Sequence, residues 1–249
     1  MKATSGIRDP LMQASRQNEC PRIARLCGVD GCKYGWIALL CEINLSNIEW
    51  RLARSWNGLT LTDEVIAVDM PIGLAARGKR GCDEAARKDL GRKASSVFPM
   101  PVREALAIPQ YSDANAWSKA NGHGGIVKQA WHLTPKVLDL EAAVLNRQHP
   151  SIFEAHPELA FARINNGTPL PPKRSTQGLS ERLKLLEHHG IAGLERHLAQ
   201  MPKGALKPDD LVDAAVLLLT AQRIATGRAR CLPDEPLINA QGLPMAIWV

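Results

Sequence analysis

Four apolar runs within the first seventy residues have the pattern of β-strands. A glycine turn follows the first run and the sequence NLSN follows the second, so the first three runs are predicted to form a meander of hairpins. The segment before the fourth run is long enough for a crossover connection. The predicted strands span residues 23–30, 35–43, 47–55 and 65–69.

Beyond Gly73 the spacing of apolar positions changes from that of strands to that of helices. A short strand is predicted to end near Glu154, and Pro157 opens the helix that follows it. The segment SVFPMPVREAL contains two prolines and is predicted to be a loop followed by a new helix. Pro135 is placed near the first turn of its helix, and the terminal MAIWV is predicted to be a short strand or a packed tail. The other predicted helices span residues 82–95, 135–148, 180–190, 193–201 and 209–227.

Length and composition are those of one globular domain. The chain has 249 residues, of which 45% are hydrophobic and 22% charged. Residues 1–22 are polar and lack the apolar core of a signal peptide, so we predict a disordered tail followed by a single domain at residues 23–249. No apolar run approaches the roughly 20 residues that span a membrane. The six cysteines show neither CxxC nor zinc spacing, so we expect a reduced, cytoplasmic chain with no membrane association, of undetermined oligomeric state.

Acidic residues follow the predicted strands at similar places. Asp30 ends the first strand, Asp69 ends the fourth, and Glu154 ends the later short strand. Asp210 and Asp213 lie three residues apart at the start of the most apolar helix, so both share one face. Carboxylates crowded at one edge of a sheet repel one another, and a divalent cation relieves that repulsion. Because hard oxygen ligands suit Mg²⁺ or Mn²⁺, the set predicts a site for one of these ions.

Each acid also has a simpler structural interpretation. Asp30 precedes a glycine and is typical of a turn. Asp209 or Asp210 is typical of a helix N-cap, and Asp209 is expected to cap the helix or point to solvent. Glu154 fits the cap region of the next helix. His156 is a candidate for proton transfer, although a histidine beside proline is more often a local hydrogen bonder. The ordered set of acids is therefore a stronger signal than any single one.

A basic stretch follows Asp69 directly. Residues 77–103 contain eight basic and three acidic side chains, an excess that accounts for most of the chain's net charge of +6. We expect this stretch to lie beside the acids, either as a phosphate-binding flank for nucleic acid, DNA or RNA, or as a solvated helix face. Two further lysines lie near the glycine-rich GHGGIVKQAW, whose spacing is not that of a P-loop. The candidate phosphate-binding residues are Arg87, Lys88, Arg92, Lys93, Lys128 and Lys136.

Several motifs, taken in order, resemble one family. They are GVDGCKYGWIALL, VDMPIGL, CDEAARKDLG, SSVFPMPVREAL, KQAWHLTPKVLDLE, FEAHPELAF, DDLVDAA and the terminal GLPMAIWV. Over about residues 26–249 the chain is similar to the family known as domain of unknown function 429, described as predicted nucleases with a ribonuclease H-like fold. The resemblance implies an α/β fold with a mixed sheet of five main strands, the first three antiparallel, flanked by helices. It also implies carboxylates that converge at one end. The helical pattern between the fourth strand and the later short strand is interpreted as an insertion at about residues 74–150.

A more distant likeness points the same way. The sequence DLVDAA resembles the HxxDA motif in the last helix of Holliday-junction resolvases, with Asp210 at the position of their histidine. By this analogy Asp30 and Asp213 are the surest metal ligands. The resolvases carry a glutamate near the end of the fourth strand, where this chain has Asp69, and they lack the helical segments at residues 74–150. The likeness therefore bears on the fold more than on the substrate.

These features together predict a metal-dependent nuclease that hydrolyses phosphodiester bonds. In the two-metal scheme one ion activates the attacking water and the other stabilises the leaving oxygen. Asp30, Asp69, Glu154 and Asp213 are expected to hold Mg²⁺ or Mn²⁺, with Asp210 either as a further ligand or as a residue that supports the ligands. One alternative is an actin-like, nucleotide-binding phosphotransferase or hydrolase. That class needs two such domains and glycine-rich phosphate loops, so the single set of strands in this chain disfavours it. The other is a catalytically inactive, ribonuclease H-like binding protein.

Overall fold

The computed structural model describes residues 25–62, 64–146 and 151–249. The tail predicted at residues 1–22 lies outside the described residues, as do the last two residues of the helix predicted at 135–148. The described part forms a central sheet with a hydrophobic core on each face.

The central sheet confirms the predicted mixed arrangement. The strands lie in the order β3-β2-β1-β4-β5. Pairing is antiparallel between β1 and β2 and between β2 and β3, as the hairpin turns predict, whereas β1–β4 and β4–β5 are parallel. The carboxyl ends of β1, β4 and β5 therefore meet at one edge, the usual place for a ligand in an open α/β sheet. The strands are β1 (Arg25–Gly31), β2 (Trp36–Glu42), β3 (Glu49–Ala53), β4 (Glu64–Val68) and β5 (Ile152–Glu154).

Seven α-helices lie within the described residues. Two of them cover opposite faces of the sheet: α7 packs against β1, β2 and β4, whereas side chains of α3 join the core on the other face. Nearly every residue of the first three turns of α7 is buried, which explains its apolar sequence. The helices are α1 (Gly81–Leu90), α2 (Tyr111–Ala120), α3 (Lys128–Leu145), α4 (Pro157–Ile164), α5 (Thr176–His188), α6 (Leu194–Gln200) and α7 (Pro208–Ala225).

Several helical boundaries differ from the prediction. The first helix ends at Leu90 and continues as a 3₁₀ helix over Gly91–Ser96. The helix expected after the two prolines is a short 3₁₀ helix over Arg103–Ala107. The apolar spacing does not predict α2, because that helix buries the small residues Ala114 and Ser118, which leave no clear hydrophobic period.

The predicted start of α3 is wrong, and the reason is local. The helix begins at Lys128, so Pro135 lies inside it. A proline within a helix removes the N–H that would bond the carbonyl four residues earlier, here that of Trp131. The hydroxyl of Thr134 donates to this carbonyl at 2.8 Å and so replaces the missing hydrogen bond.

The chain ends in a second, two-stranded sheet. Strand β6 (Cys231–Leu232) pairs antiparallel with β7 (Ile247–Trp248), which confirms the strand interpretation of the terminal MAIWV. Trp248 also bridges Ala155 and meets the ring of Phe153 edge-on, with centroids 5.2 Å apart. The small sheet therefore covers the outer side of β5.

Candidate metal and phosphate site

The two strand-end aspartates lie on adjacent parallel strands. In the register of β1 and β4, Val29 is paired with Val68, so Asp30 and Asp69 follow at equivalent positions. The N–H of Asp69 donates to the carbonyl of Val29 at 2.9 Å, which continues the pairing to the end of the strand. Asp30 is buried, and its carboxylate accepts the N–H of Gly31 at 2.6 Å. The sheet thus brings the two carboxyl groups to the same edge.

A backbone contact places Asp213 beside this edge. A Cβ atom at Gly28 of β1 would lie only 2.1 Å from the carbonyl oxygen of Ala214, so only glycine permits this approach of α7 to the sheet. Asp213 precedes Ala214 in the helix and is 2% exposed. Sequence spacing alone predicted which residues start the helix, and the glycine determines how closely they approach β1.

Lys173 enters the acidic site from a proline-rich loop. Its ammonium group donates to Oδ2 of Asp213 at 2.5 Å and lies 4.0 Å from Oδ2 of Asp209. The loop that carries it is tied to α5, because Arg182 donates to the carbonyl of Pro171 at 2.8 Å. A positive charge is therefore held among the predicted ligands by a side chain of the protein itself.

The acids of this site are mutually destabilising when charged. Burial raises the pKa of Asp30 well above its ordinary value, and the charges of Asp69 and Asp213 raise it further. Burial also raises the pKa of Asp69. It raises the pKa of Asp213 to about 7, although Lys173 opposes this change. Burial lowers the pKa of Lys173, but the nearby aspartates outweigh it and raise that pKa overall. One ammonium thus only partly balances the carboxylates.

We predict from these shifts that the metal-free protein becomes more stable as the pH falls from about 8 to about 5. Asp213 has an ordinary pKa of 3.8 and a folded pKa of about 7, so between these values the folded state binds a proton that the unfolded state does not. The stabilisation grows as the pH falls below about 7, is complete only below 3.8, and is lost as the pH rises through about 7. A single such group changes the free energy of unfolding by at most about 1.4 kcal/mol per pH unit.

Urea denaturation in EDTA at several pH values measures this dependence. Asp213→Asn should show a shallower dependence than the wild type, because one of the shifted groups is gone. A free energy of unfolding that stays flat or increases with pH across this range would contradict the prediction.

Glu154 lies at the same edge but is paired with an arginine. Its carboxylate accepts Nη1 of Arg80 at 3.1 Å and the N–H of Ile72 at 2.7 Å, and Nη2 of Arg80 donates to it as well. Arg80 is 1% exposed and also bonds Asp83 at 2.9 Å. This buried ion pair ties β5 to the loop after β4 and to the start of α1. The metal-ligand role of Glu154 stays a prediction, and both its oxygens already accept hydrogen bonds.

Arg80 also accounts for a neighbouring group of ligand-type atoms. Cys82, Asp83 and Glu154 each bring one such atom to within 4.8 Å of the others. Two of these residues share the guanidinium of Arg80, and burial raises the pKa of the Cys82 thiol, which keeps it protonated. One arginine therefore pairs with both acids of this group and balances their charge in part.

The acids at the start of α7 have different surroundings. The carboxylate of Asp210 accepts the N–H of Lys207 at 2.8 Å, while the Lys207 carbonyl accepts the N–H of Asp210, so Asp210 caps the helix. The expectation for Asp209 is wrong: it is 8% exposed and lies 3.7 Å from Nε of Arg174. The proline-rich loop packs over this end of the helix and covers Asp209.

A cavity of about 230 Å³ opens at this edge. His156 lines it, and Nε2 of this histidine lies 3.3 Å from the carbonyl oxygen of Ser96. Its buried Nδ1 has no hydrogen-bond partner among the described residues. The histidine thus has a local structural contact and one ring nitrogen without a partner, and its proton-transfer role stays a prediction. The charged and imidazole residues of the lining are Asp30, Asp69, Asp83, Glu154, His156, Lys173, Arg174, Lys207, Asp209 and Asp210.

Two of the predicted phosphate-binding residues have structural partners. Arg87 donates to two backbone carbonyls of the segment after α1, at 2.7 and 2.8 Å. Lys93 pairs with Glu158 at 2.6 Å. The basic segment does border the cavity, but through Ser96 and its neighbours more than through these charges.

The other predicted phosphate-binding residues lie at different places. Lys88, Arg92 and Lys128 are exposed. The aliphatic part of Lys136 lies against Gly31, since a Cβ atom there would be 2.9 Å from its Cδ. Lys136 is thus the one of these four that reaches the end of β1.

The basic residues that line the cavity with the acids were missed by the sequence reasoning. They are Lys173, Arg174 and Lys207, and the first two belong to the sequence PPKRS of the proline-rich loop. A usable signal was present: crowded acids need a counter-charge, and adjacent basic residues in a proline-stiffened loop are candidates for it.

The fold and this edge define the class of the protein. It is an α/β protein whose mixed five-stranded sheet is consistent with the ribonuclease H-like arrangement, and its carboxylates gather where parallel strands end. The chain belongs to the family described as "Protein of unknown function (DUF429)", which matches residues 28–238 and confirms the resemblance seen in the sequence. No curated protein and no solved structure matches the chain. In the described part of the chain, no helix is long and apolar enough to cross a membrane.

Proposed function

We propose that the protein is a metal-dependent nuclease that acts at the edge formed by β1, β4 and α7. The observation that carries the proposal is the convergence of Asp30, Asp69 and Asp213, whose pKa values are all raised by burial. Ionisable groups with strongly perturbed pKa values in a cleft are typical of functional sites. A purely structural set of acids would be held by direct ion pairs with basic groups, as Glu154 and Asp83 are by Arg80.

The chemistry of the donor set suits a divalent cation. The three aspartates offer hard oxygen ligands, and Lys173 balances them only in part, so Mg²⁺ or Mn²⁺ suits the site. Asp30, Asp69 and Asp213 would hold the ion. When bound, it would activate water and stabilise the leaving oxygen of a phosphodiester. Asp210 would support the site by capping α7.

The basic side of the cavity supports a phosphate-bearing substrate. Lys173, Arg174 and Lys207 line it opposite the strand ends, and cationic side chains are the usual partners of backbone phosphates. At about 230 Å³ the cavity is smaller than the roughly 300–1,000 Å³ of typical small-molecule sites. This size suits a phosphate group with the adjoining sugar, with the rest of a nucleic acid lying outside.

Labelled DNA and RNA, single-stranded and double-stranded, test the proposal in the presence of Mg²⁺ or Mn²⁺. Wild-type protein should cleave at least one of these substrates, and EDTA should abolish the cleavage. Asp213→Asn should be inactive while remaining folded by circular dichroism. Cleavage that persists at the wild-type rate in Asp213→Asn would indicate a contaminating nuclease and remove the support for this site.

A separate prediction concerns Lys173. Lys173→Met should show a larger metal-induced rise in melting temperature than the wild type, because the ammonium no longer competes with the ion for Asp213. Thermal denaturation with and without Mn²⁺ measures the difference. Lys184→Met, at an exposed position of α5, is the matched control and should respond as the wild type does. If the metal-induced rise in melting temperature of Lys173→Met equalled that of the wild type, the ammonium group and the metal ion would not compete for the same position.

A further inference from the structure

A second cavity lies at the opposite end of α7. It measures about 500 Å³ and is formed where α4, α5 and α7 end. Asp213 and Arg223 lie towards opposite ends of α7, roughly 15 Å apart along the helix axis. This cavity is therefore separate from the acidic edge. The ionisable groups of its described lining are all basic or imidazole: Arg163, His188, His189, Arg223 and Arg228.

The three arginines of this cavity lack acidic partners within the described part of the chain. Among the described residues, none of their guanidinium groups forms an ion pair with a carboxylate. Arg223 donates through Nη2 to the carbonyl of Arg228 at 2.7 Å, while its buried Nε has no partner among the described residues. Burial lowers the pKa of Arg223, and the charges of Arg163 and Arg228 lower it further. Three like charges therefore lie at one cavity with no carboxylate beside them among the described residues.

Basic residues at helix ends also have a general structural role. A cation near a helix C-terminus interacts favourably with the helix dipole, and the contact of Arg223 with a backbone carbonyl is of this kind. That role accounts for a single cation at each helix end. It does not account for three guanidinium groups turned towards one cavity, one of them with a buried N–H that has no acceptor in the described part of the chain.

We propose that this cavity binds a small phosphorylated ligand through Arg163, Arg223 and Arg228. Guanidinium groups donate paired hydrogen bonds to phosphate oxygens, and several together match the charge of a phosphate or diphosphate. The volume of about 500 Å³ falls within the range of small-molecule sites. Three arginines grouped at one cavity suit a compact anion, whereas a nucleic-acid backbone is followed by a longer track of basic side chains.

Isothermal titration with pyrophosphate tests the proposal, in EDTA and at constant ionic strength. Wild-type protein should bind, and Arg223→Gln and Arg163→Gln should each weaken binding roughly tenfold or more, because each removes charge-assisted hydrogen bonds. Arg163 and Arg228 are exposed, so Arg163→Gln and Arg228→Gln carry the test if Arg223→Gln does not fold. Arg196→Gln, an exposed position of α6, is the matched control and should bind as the wild type does.

The proposal stands apart from the nuclease proposal, and Asp213→Asn should bind pyrophosphate with wild-type affinity. Absence of binding by the wild type at millimolar pyrophosphate would overturn it. Wild-type affinity in both Arg163→Gln and Arg228→Gln would also overturn it. A single-stranded oligonucleotide could also be tested as a competitor. If it bound more tightly per phosphate group than pyrophosphate does and displaced it, the cavity would be assigned to nucleic acid and the small-ligand proposal would be overturned.

Discussion

Asp30→Asn is expected to raise the melting temperature of the metal-free protein near pH 8, and to remove most of the rise that Mg²⁺ or Mn²⁺ produces in the wild type. Burial raises the pKa of Asp30, and the charges of the two neighbours Asp69 and Asp213 raise it further, so its ionised form is costly. Asparagine keeps the shape and removes that charge. In a chain of this size, each kcal/mol of stabilisation corresponds to about 2–4 °C in melting temperature.

The loss of metal response should be the larger effect. Removing even an outer partner of a metal ligand typically weakens metal binding about 10- to 100-fold, so loss of a direct ligand should exceed that range. Thermal denaturation across a series of Mn²⁺ concentrations measures both effects. Asp113→Asn, at an exposed position of α2, is the control and should behave as the wild type does. If Asp30→Asn kept the full metal-induced rise, the strand-end carboxylates would not form a metal site.

Arg80→Met is expected to cause the largest loss of stability among single substitutions at this edge. The substitution leaves Glu154 and Asp83 buried without their shared countercharge. Breaking a buried ion pair by removing one partner typically costs about 3–5 kcal/mol. Urea denaturation at neutral pH measures the loss.

Two comparisons make this prediction specific. Arg230→Met breaks the pair with Asp89, whose side chains are 53% and 40% exposed, and should cost no more than about 1 kcal/mol. Adding Glu154→Gln to Arg80→Met should recover part of the loss, because one buried charge is then removed. The interpretation fails if Arg80→Met costs no more than Arg230→Met.

The strands, and the acids at their ends, were predictable because their signals are local. A buried apolar run followed by aspartate can be seen within a few residues, and parallel pairing brings Asp30 and Asp69 to one edge. The length of α3 was not predictable in the same way. Its start depends on a side-chain hydrogen bond from Thr134 that makes an internal proline acceptable.

The partners of the acids were not predictable, because they come from distant parts of the sequence. Arg80 and Glu154 are separated by 74 positions, and Lys173 and Asp213 by 40. No spacing rule connects such pairs. The expectation for Asp209 failed for the same reason, since the loop that buries it lies outside the helix whose local pattern was considered. The sequence therefore indicates where the acids gather, and tertiary packing determines which of them are paired with a basic side chain.

The contact between Gly28 and Ala214 has a consequence for the tolerance of the protein to mutation. The distance between Asp30 and Asp213 depends on two backbones in direct contact, with no intervening side chain. Conservative exchanges of large apolar residues elsewhere in the core, such as Leu186 or Val65, should therefore change stability while leaving the spacing of the acids intact. A substitution at Gly28, in contrast, would change both the stability and the spacing of the acids. Apolar positions of the core can thus change without altering the site, whereas Gly28 has to stay small to keep the acids at their present distance.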